Sequence, residues 1–139
     1  MFGQTALATN AYRRLAVESA ALGADSHQLI AMLFDGAQTA IAQARAALAR
    51  GDIGAKAVAS SRAIRLVDEG LKVAVDRSVG EIGESLYQLW SYCARRLLHA
   101  HLKHDDGAYA EVSTLIGQIE SAWVAIGPNG APTTLRRAA

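Results

Sequence analysis

Proline is absent from the first 127 residues of this 139-residue chain, whose only two prolines are Pro128 and Pro132. Proline breaks an α-helix because it lacks an amide donor and its ring clashes with the preceding turn. Long helices can therefore form anywhere before residue 128. Alanine, the best helix former, occurs 29 times. No stretch alternates apolar and polar residues as a half-buried strand does. The sequence predicts an all-α protein.

Apolar residues recur at helical spacing in four long stretches that short turns separate. The predicted helices run from Asp25 to Gly51, from about Gly54 to Arg77 and from about Ile82 to His104, and the fourth follows the turn Asp105–Gly107 and reaches Ile126. Short connections make sequential helices antiparallel neighbours, which predicts an up-and-down four-helix bundle. We expect one domain over residues 1–126, beginning with a short helix or arm, and a disordered tail over 127–139.

The apolar stripe of each predicted helix is expected to face the core. The stripe of the second helix comprises Ala57, Ile64, Val67, Leu71, Ala74 and Val75. The stripes of the other helices include Ile30, Phe34, Ala37 and Ile41 on the first, Trp90, Cys93 and Leu97 on the third, and Val112, Ile116 and Trp123 on the fourth.

The charge balance argues against nucleic acid and membranes as partners. Fourteen basic and thirteen acidic residues leave a net charge of +1, too small to attract a polyanion. No apolar run approaches the roughly 20 residues that span a bilayer, so no membrane insertion is expected. The amino terminus lacks the basic and apolar regions of a signal peptide, and we expect a cytoplasmic protein.

The candidates for chemistry favour structural roles. His99, His101, His104 and Asp105 are close in sequence, yet on a helix His99 points away from the other two histidines. Cys93 lies on a predicted core stripe, where a thiol acts as a small hydrophobe. We therefore predict no catalytic residue, no metal site, no cofactor and no enzymatic activity.

The middle helices carry more apolar residues than a four-helix core needs. The surplus positions are Val58, Leu66 and Val73 on the second helix, and Tyr87, Ala94, Leu98 and Leu102 on the third. Such a surplus indicates a partner-binding groove, unless the amino-terminal segment or a second copy of the chain covers it. The interior glycines Gly36, Gly70 and Gly117 indicate close approach by another helix.

Five blocks of sequence resemble a known family. They are AYRRLAVESA (residues 11–20), SHQLIAMLFDGA (26–37), SRAIRLVDEGLKVAVD (61–76), EIGESLYQLWSYCARRLLHAHLKHD (81–105) and AEVSTLIGQIESAW (110–123). Over about residues 10–125 the chain resembles the flagellar secretion chaperones of the FliS family.

The resemblance implies a cytosolic chaperone that binds the disordered carboxy-terminal segment of flagellin. Such a chaperone prevents premature polymerisation and aids delivery to the flagellar type III export apparatus, whose gate components are further candidate partners. The resemblance also implies hydrophobic cargo grooves and matches Tyr12 to an amino-terminal tyrosine of the family. The alternative is a homo-oligomeric helical bundle, such as a homodimer, with a regulatory or structural role and no flagellin cargo.

Overall fold

A computed structural model describes the backbone of residues 26–138 and the side chains of residues 26–125. Its α-helices are α1 (Ser26–Ala49), α2 (Ile53–Arg65), α3 (Glu81–Lys103) and α4 (Asp106–Ala138). A π-helix, Leu66–Leu71, continues α2, and a 3-10 turn, Arg77–Val79, precedes α3. No strand occurs between residues 26 and 138. The predicted all-α class is confirmed.

The four helices form a ring in which α1 packs against α2 and α4, and α3 packs against the same two helices. Contacts at both ends show that α1 and α4 are antiparallel. Arg45 near the end of α1 donates to Asp106 at the start of α4, at 2.8 Å and 3.0 Å. At the opposite end, His27 Nε2 donates to the Trp123 carbonyl (2.8 Å), and Trp123 Nε1 donates to the His27 carbonyl (3.1 Å). The predicted antiparallel bundle is confirmed.

The helix boundaries follow local chemistry. Gly51, with φ of 74°, lies in the turn after α1, and the Asp52 side chain then caps α2 by accepting from the amide of Ala55. His104 ends α3 in the left-handed conformation. The Asp105 side chain accepts from the amide of Ala108 at 3.2 Å, as an N-cap does.

The core combines alanines with larger apolar residues on α1, α3 and α4. Phe34 and Trp90 meet edge to face with ring centroids 5.9 Å apart. The fully or nearly buried residues of these three helices include Ile30, Phe34, Ala37, Ala40, Ile41 and Ala44, then Trp90, Cys93, Leu97 and Ala100, then Ala108, Tyr109, Val112 and Ile116. The predicted stripes of α1 and α3 are therefore confirmed, as are Val112 and Ile116 on α4.

The second helix departs from the prediction in length and in the face that it buries. Regular α-helix ends at Arg65 rather than near Arg77, because the π-helix and then a 3-10 turn capped by the Asp76 side chain replace it. The buried residues of α2 are Lys56, Ala59, Ser60 and Ala63. Both Ala57 and Ile64 are predicted to lie in the core; Ile64 is half-buried and packs against it, whereas Ala57 is half-buried outside it. Lys56, Ser60, Ala63, Val67 and Leu71 follow one another at intervals of three or four residues, so the buried stripe runs back from the π-helix to Lys56 and leaves Ala57 at its edge.

The carboxy-terminal end of α4 lies beyond the predicted helix end. The helix bounds reach Ala138, whereas the sequence predicts an end near Ile126. Side chains after Ala125 lie outside the described residues, as do Asp25 and the predicted amino-terminal arm. The domain boundary at 126 and the disorder of residues 127–139 stay predictions.

Candidate partner-binding site

A groove of about 710 Å³ runs along the outer face of α2 and its π-helical continuation, which we call the α2 groove. It is lined by Leu33 of α1 and by Ala57, Val58, Ser61, Arg62, Arg65, Leu66, Glu69 and Gly70. The groove is open to solvent at Val58, which is 67% exposed. An apolar, accessible channel of this kind can receive a helix from another chain.

Two reciprocal contacts between leucine and glycine bring α1 and the π-helix together beneath this groove. A Cβ atom on Gly70 would lie 3.0 Å from Leu33 Cδ2, and a Cβ atom on Gly36 would lie 3.2 Å from Leu66 Cδ1. Each leucine therefore fills the space that a larger residue would need. At Gly36 and Gly70 the approaching atoms are leucine side chains of this chain, so close approach by the backbone of a partner helix stays a prediction. Gly117 makes only ordinary contact, 3.4 Å from Gln38 Nε2.

The structure brings some of the predicted surplus residues together. Val58 and Leu66 both line the α2 groove. Leu66 is half-buried because it also packs beside α1, although the sequence places it opposite the core. Val73 is half-buried in the turn after the π-helix and does not line the groove. Tyr12 lies outside the described residues.

On α3, the predicted residues Ala94, Leu98 and Leu102 follow one another at intervals of one helical turn and form what we call the α3 strip. Leu98 is 49% exposed and Leu102 is 63% exposed, whereas Ala94 is half-buried against the core. None of them lines the α2 groove, although α3 packs directly against α2. The α3 strip is therefore a second accessible apolar surface.

Tyr87 belongs to the junction between the 3-10 turn and α3. The Arg77 guanidinium carbon lies 3.9 Å from the centroid of the Tyr87 ring, and Lys72 Nζ lies 5.4 Å from it. Arg77 also donates two hydrogen bonds to Glu84, at 2.9 Å and 3.1 Å. These hydrogen bonds raise the pKa of Arg77 and lower that of Glu84. The Arg77 guanidinium thus occupies one face of the Tyr87 ring.

Several lining residues are absent from the sequence-based set. The apolar period places Leu33 on the core stripe of the first helix, and the basic pair Arg62 and Arg65 has the pattern of a solvated helix face. The signal that could have found Arg62 is its spacing, because Val58, Arg62 and Leu66 follow one another at intervals of one turn.

The histidines at the end of α3 form two separate contacts. The Nε2 atom of His99 lies 3.3 Å from a carboxylate oxygen of Asp105. On the other side, buried Lys56 donates from Nζ to the carbonyl oxygen of His101 (2.7 Å) and to Nδ1 of His104 (2.6 Å). No group of three histidine, cysteine or acidic residues with metal-binding geometry occurs in the part of the chain that the structure describes.

Cys93 is a buried thiol on the core side of α3. Burial is the main cause that raises its pKa to about 12, so the thiolate does not form near neutral pH. The position of Cys93 therefore supports packing and not nucleophilic chemistry, as the apolar stripe predicts.

The family described as "Flagellar protein FliS" matches residues 8–130 of the chain. This chain belongs to the FliS family. The match includes the whole of the α2 groove and the α3 strip. The resemblance stated from the sequence blocks is thus confirmed.

Individual relatives agree with the family assignment. The FliS-family chain is 46% identical over 125 residues to the flagellar secretion chaperone FliS of Salmonella typhimurium. This alignment covers 89% of this chain and 93% of that relative. It is 40% identical over 116 residues to the flagellar secretion chaperone FliS of Escherichia coli, and this alignment covers 83% of this chain and 85% of that relative. It is 29% identical over 113 residues to the flagellar secretion chaperone FliS of Bacillus subtilis, with 81% and 80% covered.

The family assignment identifies the chain as a flagellar chaperone and not an enzyme, because its relatives are named chaperones of a non-enzymatic family. Among the described helices of this FliS-family chain, none is both long enough and apolar enough to cross a membrane.

Proposed function

We propose that this FliS-family chain is a cytosolic export chaperone that binds the disordered carboxy-terminal segment of flagellin. The observation that carries the proposal is the α2 groove beside the α3 strip, two accessible apolar surfaces on adjacent helices of a flagellar chaperone. Binding the segment prevents premature polymerisation of flagellin. It also holds the subunit for delivery to the flagellar type III export apparatus, whose gate components are further partners.

The physical chemistry of a disordered cargo fits these surfaces. A segment that folds on binding can wrap a large surface, while the cost of ordering it keeps the complex dissociable. A dissociable complex is what a chaperone needs when it passes its cargo on. Because the α2 groove and the α3 strip lie on antiparallel helices, a cargo with two short helices can occupy both.

The proposed cargo-binding residues are Tyr12, Val58, Leu66, Val73, Tyr87, Ala94, Leu98 and Leu102. Val58, Leu98 and Leu102 are the strongest members, since each is at least 49% exposed. For Tyr87 the proposal concerns the ring face opposite Arg77, because the Arg77 guanidinium already lies over the other face.

Titration with the carboxy-terminal segment of flagellin from the same bacterium tests the proposal. Calorimetry should show saturable binding, and circular dichroism should show a gain in helix as the segment folds. Val58→Asp should weaken binding at least about tenfold, because it places a charge on an apolar contact surface.

Val124→Asp is the matched control. Val124 is 58% exposed on α4, which does not border the α2 groove, so this change should leave the affinity for the segment unaltered. A wild-type protein that does not bind the segment would overturn the proposed function. Equal losses in both variants would overturn the assignment of the α2 groove as the cargo site.

The exposed apolar strip also supports the second candidate function, a homo-oligomeric bundle without flagellin cargo. Leu98 and Leu102 could equally be covered by a second copy of the chain. Sedimentation of the free protein separates the two proposals. A concentration-dependent dimer that Leu98→Asp dissociates, combined with no binding of flagellin, would favour the oligomer.

A further inference from the structure

The α2 groove carries one basic side chain between its apolar contacts. Val58, Arg62 and Leu66 are successive residues on one face of α2, each four positions after the last, and all three line the groove. At 1.5 Å per residue, Arg62 lies about 6 Å along the helix axis from each apolar neighbour. A helix that contacts both Val58 and Leu66 must therefore pass the Arg62 guanidinium.

The other charges that line the groove already have partners. Arg65 donates to Glu69 at 2.9 Å, an ion pair within one helix turn. The side chain of Arg62 is exposed and, among the described residues 26–125, forms no hydrogen bond or ion pair. The groove thus presents a net positive charge at its centre, and no acidic side chain among the described residues pairs with Arg62.

We propose that the helix bound in the α2 groove carries an aspartate or glutamate that pairs with Arg62. The acidic residue lies between two apolar residues of the cargo that contact Val58 and Leu66, one turn from each of them. This inference rests on the proposed function, because the helix is part of the flagellin segment. The position of the acidic residue then identifies which part of that segment occupies the groove.

The charge pair acts mainly on register. A helix with only apolar contacts could slide by one turn along the α2 groove, whereas an acidic residue opposite Arg62 fixes its position. An exposed ion pair contributes little free energy, so the expected effect on affinity is about three- to fivefold at low salt. It should disappear near 0.5 M salt, about where the Debye length falls below the size of the contact.

The test uses the full chain and the carboxy-terminal segment of flagellin from the same bacterium, titrated by calorimetry at low and high salt. Arg62→Gln should weaken binding about three- to fivefold at low salt, and Arg62→Glu should weaken it further. The control is Arg50→Gln, which removes the same charge from the turn after α1, outside the groove. It should leave the affinity unaltered.

A double-mutant cycle identifies the cargo residue. Each acidic residue of the segment is replaced in turn by the neutral amide, and the paired residue is the one whose replacement has no further effect in Arg62→Gln. Wild-type binding that Arg62→Glu leaves unaltered would overturn the charge pair and leave the chaperone function standing. Losses that are equal for Arg62→Gln and Arg50→Gln would also overturn it, since they reflect net charge alone. Absence of wild-type binding would overturn the proposed function itself.

Discussion

Gly83, in the first turn of α3, is the residue at which the backbone leaves least room. A Cβ atom there would overlap the Asp76 carbonyl oxygen and would lie 3.2 Å from Arg77 Cα. Both neighbours are backbone atoms of the segment that leads into α3, and this segment is held by Arg77 through Glu84 and Tyr87. A side chain at Gly83 must therefore displace the whole junction and not a single flexible side chain.

We predict that Gly83→Ala lowers the free energy of unfolding by about 1–3 kcal/mol, the usual cost of overpacking a tight site. Urea denaturation followed by circular dichroism measures this change. Gly117→Ala is the control within another helix, because its Cβ atom would make ordinary contact, 3.4 Å from Gln38 Nε2. It should be neutral or stabilising, since alanine has the higher helix propensity. A neutral Gly83→Ala would show that the junction moves freely.

At the scale of helices, α2 is distinguished by polar groups on its buried face. Ser60 and Tyr109 join α2 to α4 through a hydrogen bond of 2.6 Å between their buried hydroxyls. Burial is the main cause that raises the pKa of Tyr109, so its hydroxyl stays protonated. Lys56, also fully buried, joins α2 to the end of α3. These bonds fix both the rotation of α2 and its position along the bundle.

We predict that Ser60→Ala lowers the free energy of unfolding by about 1–2 kcal/mol, because the buried Tyr109 hydroxyl loses its partner. Tyr109→Phe should lower the free energy of unfolding by a similar amount, because the buried Ser60 hydroxyl then loses its partner. The double variant Ser60→Ala/Tyr109→Phe should be more stable than the sum of the two single losses implies, since no buried polar atom is then left unpaired. Additive losses in chemical denaturation would contradict this account.

For the whole molecule, stability should depend on pH through groups on several helices. Burial, followed by the charges of Lys56 and His104, lowers the pKa of His101, whose buried Nδ1 atom has no hydrogen-bond partner among the described residues. In the unfolded chain histidine titrates near 6.5, so below that pH the unfolded state takes up the proton first. The stability contributed by neutral His101 is therefore present above about pH 6.5 and is lost as the pH falls.

Three carboxylates add a second acid transition. Hydrogen bonds from Arg77, Arg45 and Tyr92 are the main causes that lower the pKa values of Glu84, Asp106 and Glu111, respectively. Groups with lowered pKa values stabilise the fold above about pH 4.5 and cease to do so as they become protonated.

We predict that the melting temperature is nearly constant above pH 7 and falls from about pH 6.5 downwards, with a steeper fall below about pH 4.5. His101→Gln should reduce the first fall and leave the second. His99→Gln is the control, because His99 lies on the exposed side of α3 beside Asp105, and it should retain both falls. Melting curves followed by circular dichroism between pH 4 and pH 8 make the comparison. An unaltered first fall in His101→Gln would contradict the role of His101.

The part of the architecture that depends on local chemistry was predictable from the sequence. The absence of proline before residue 128 predicts long helices, and glycine and aspartate mark their ends at Gly51 and Asp105. The spacing of apolar residues predicts which faces of α1 and α3 lie in the core. Apolar residues outside that spacing predict the exposed positions Val58, Leu98 and Leu102. Both kinds of signal depend on residues within one or two turns of each other, so a single sequence contains them.

Only the tertiary structure decided which face of α2 is buried and where the α2 groove lies. Lys56 and Ser60 can be buried because they form hydrogen bonds with His101 and Tyr109. These partners lie 45 and 49 residues away in sequence. The groove floor depends on Leu33 meeting Gly70 and on Leu66 meeting Gly36, contacts between α1 and the π-helix. A polar residue pays its desolvation cost only where distant atoms satisfy its hydrogen bonds, and no periodicity along the chain encodes where those atoms will be.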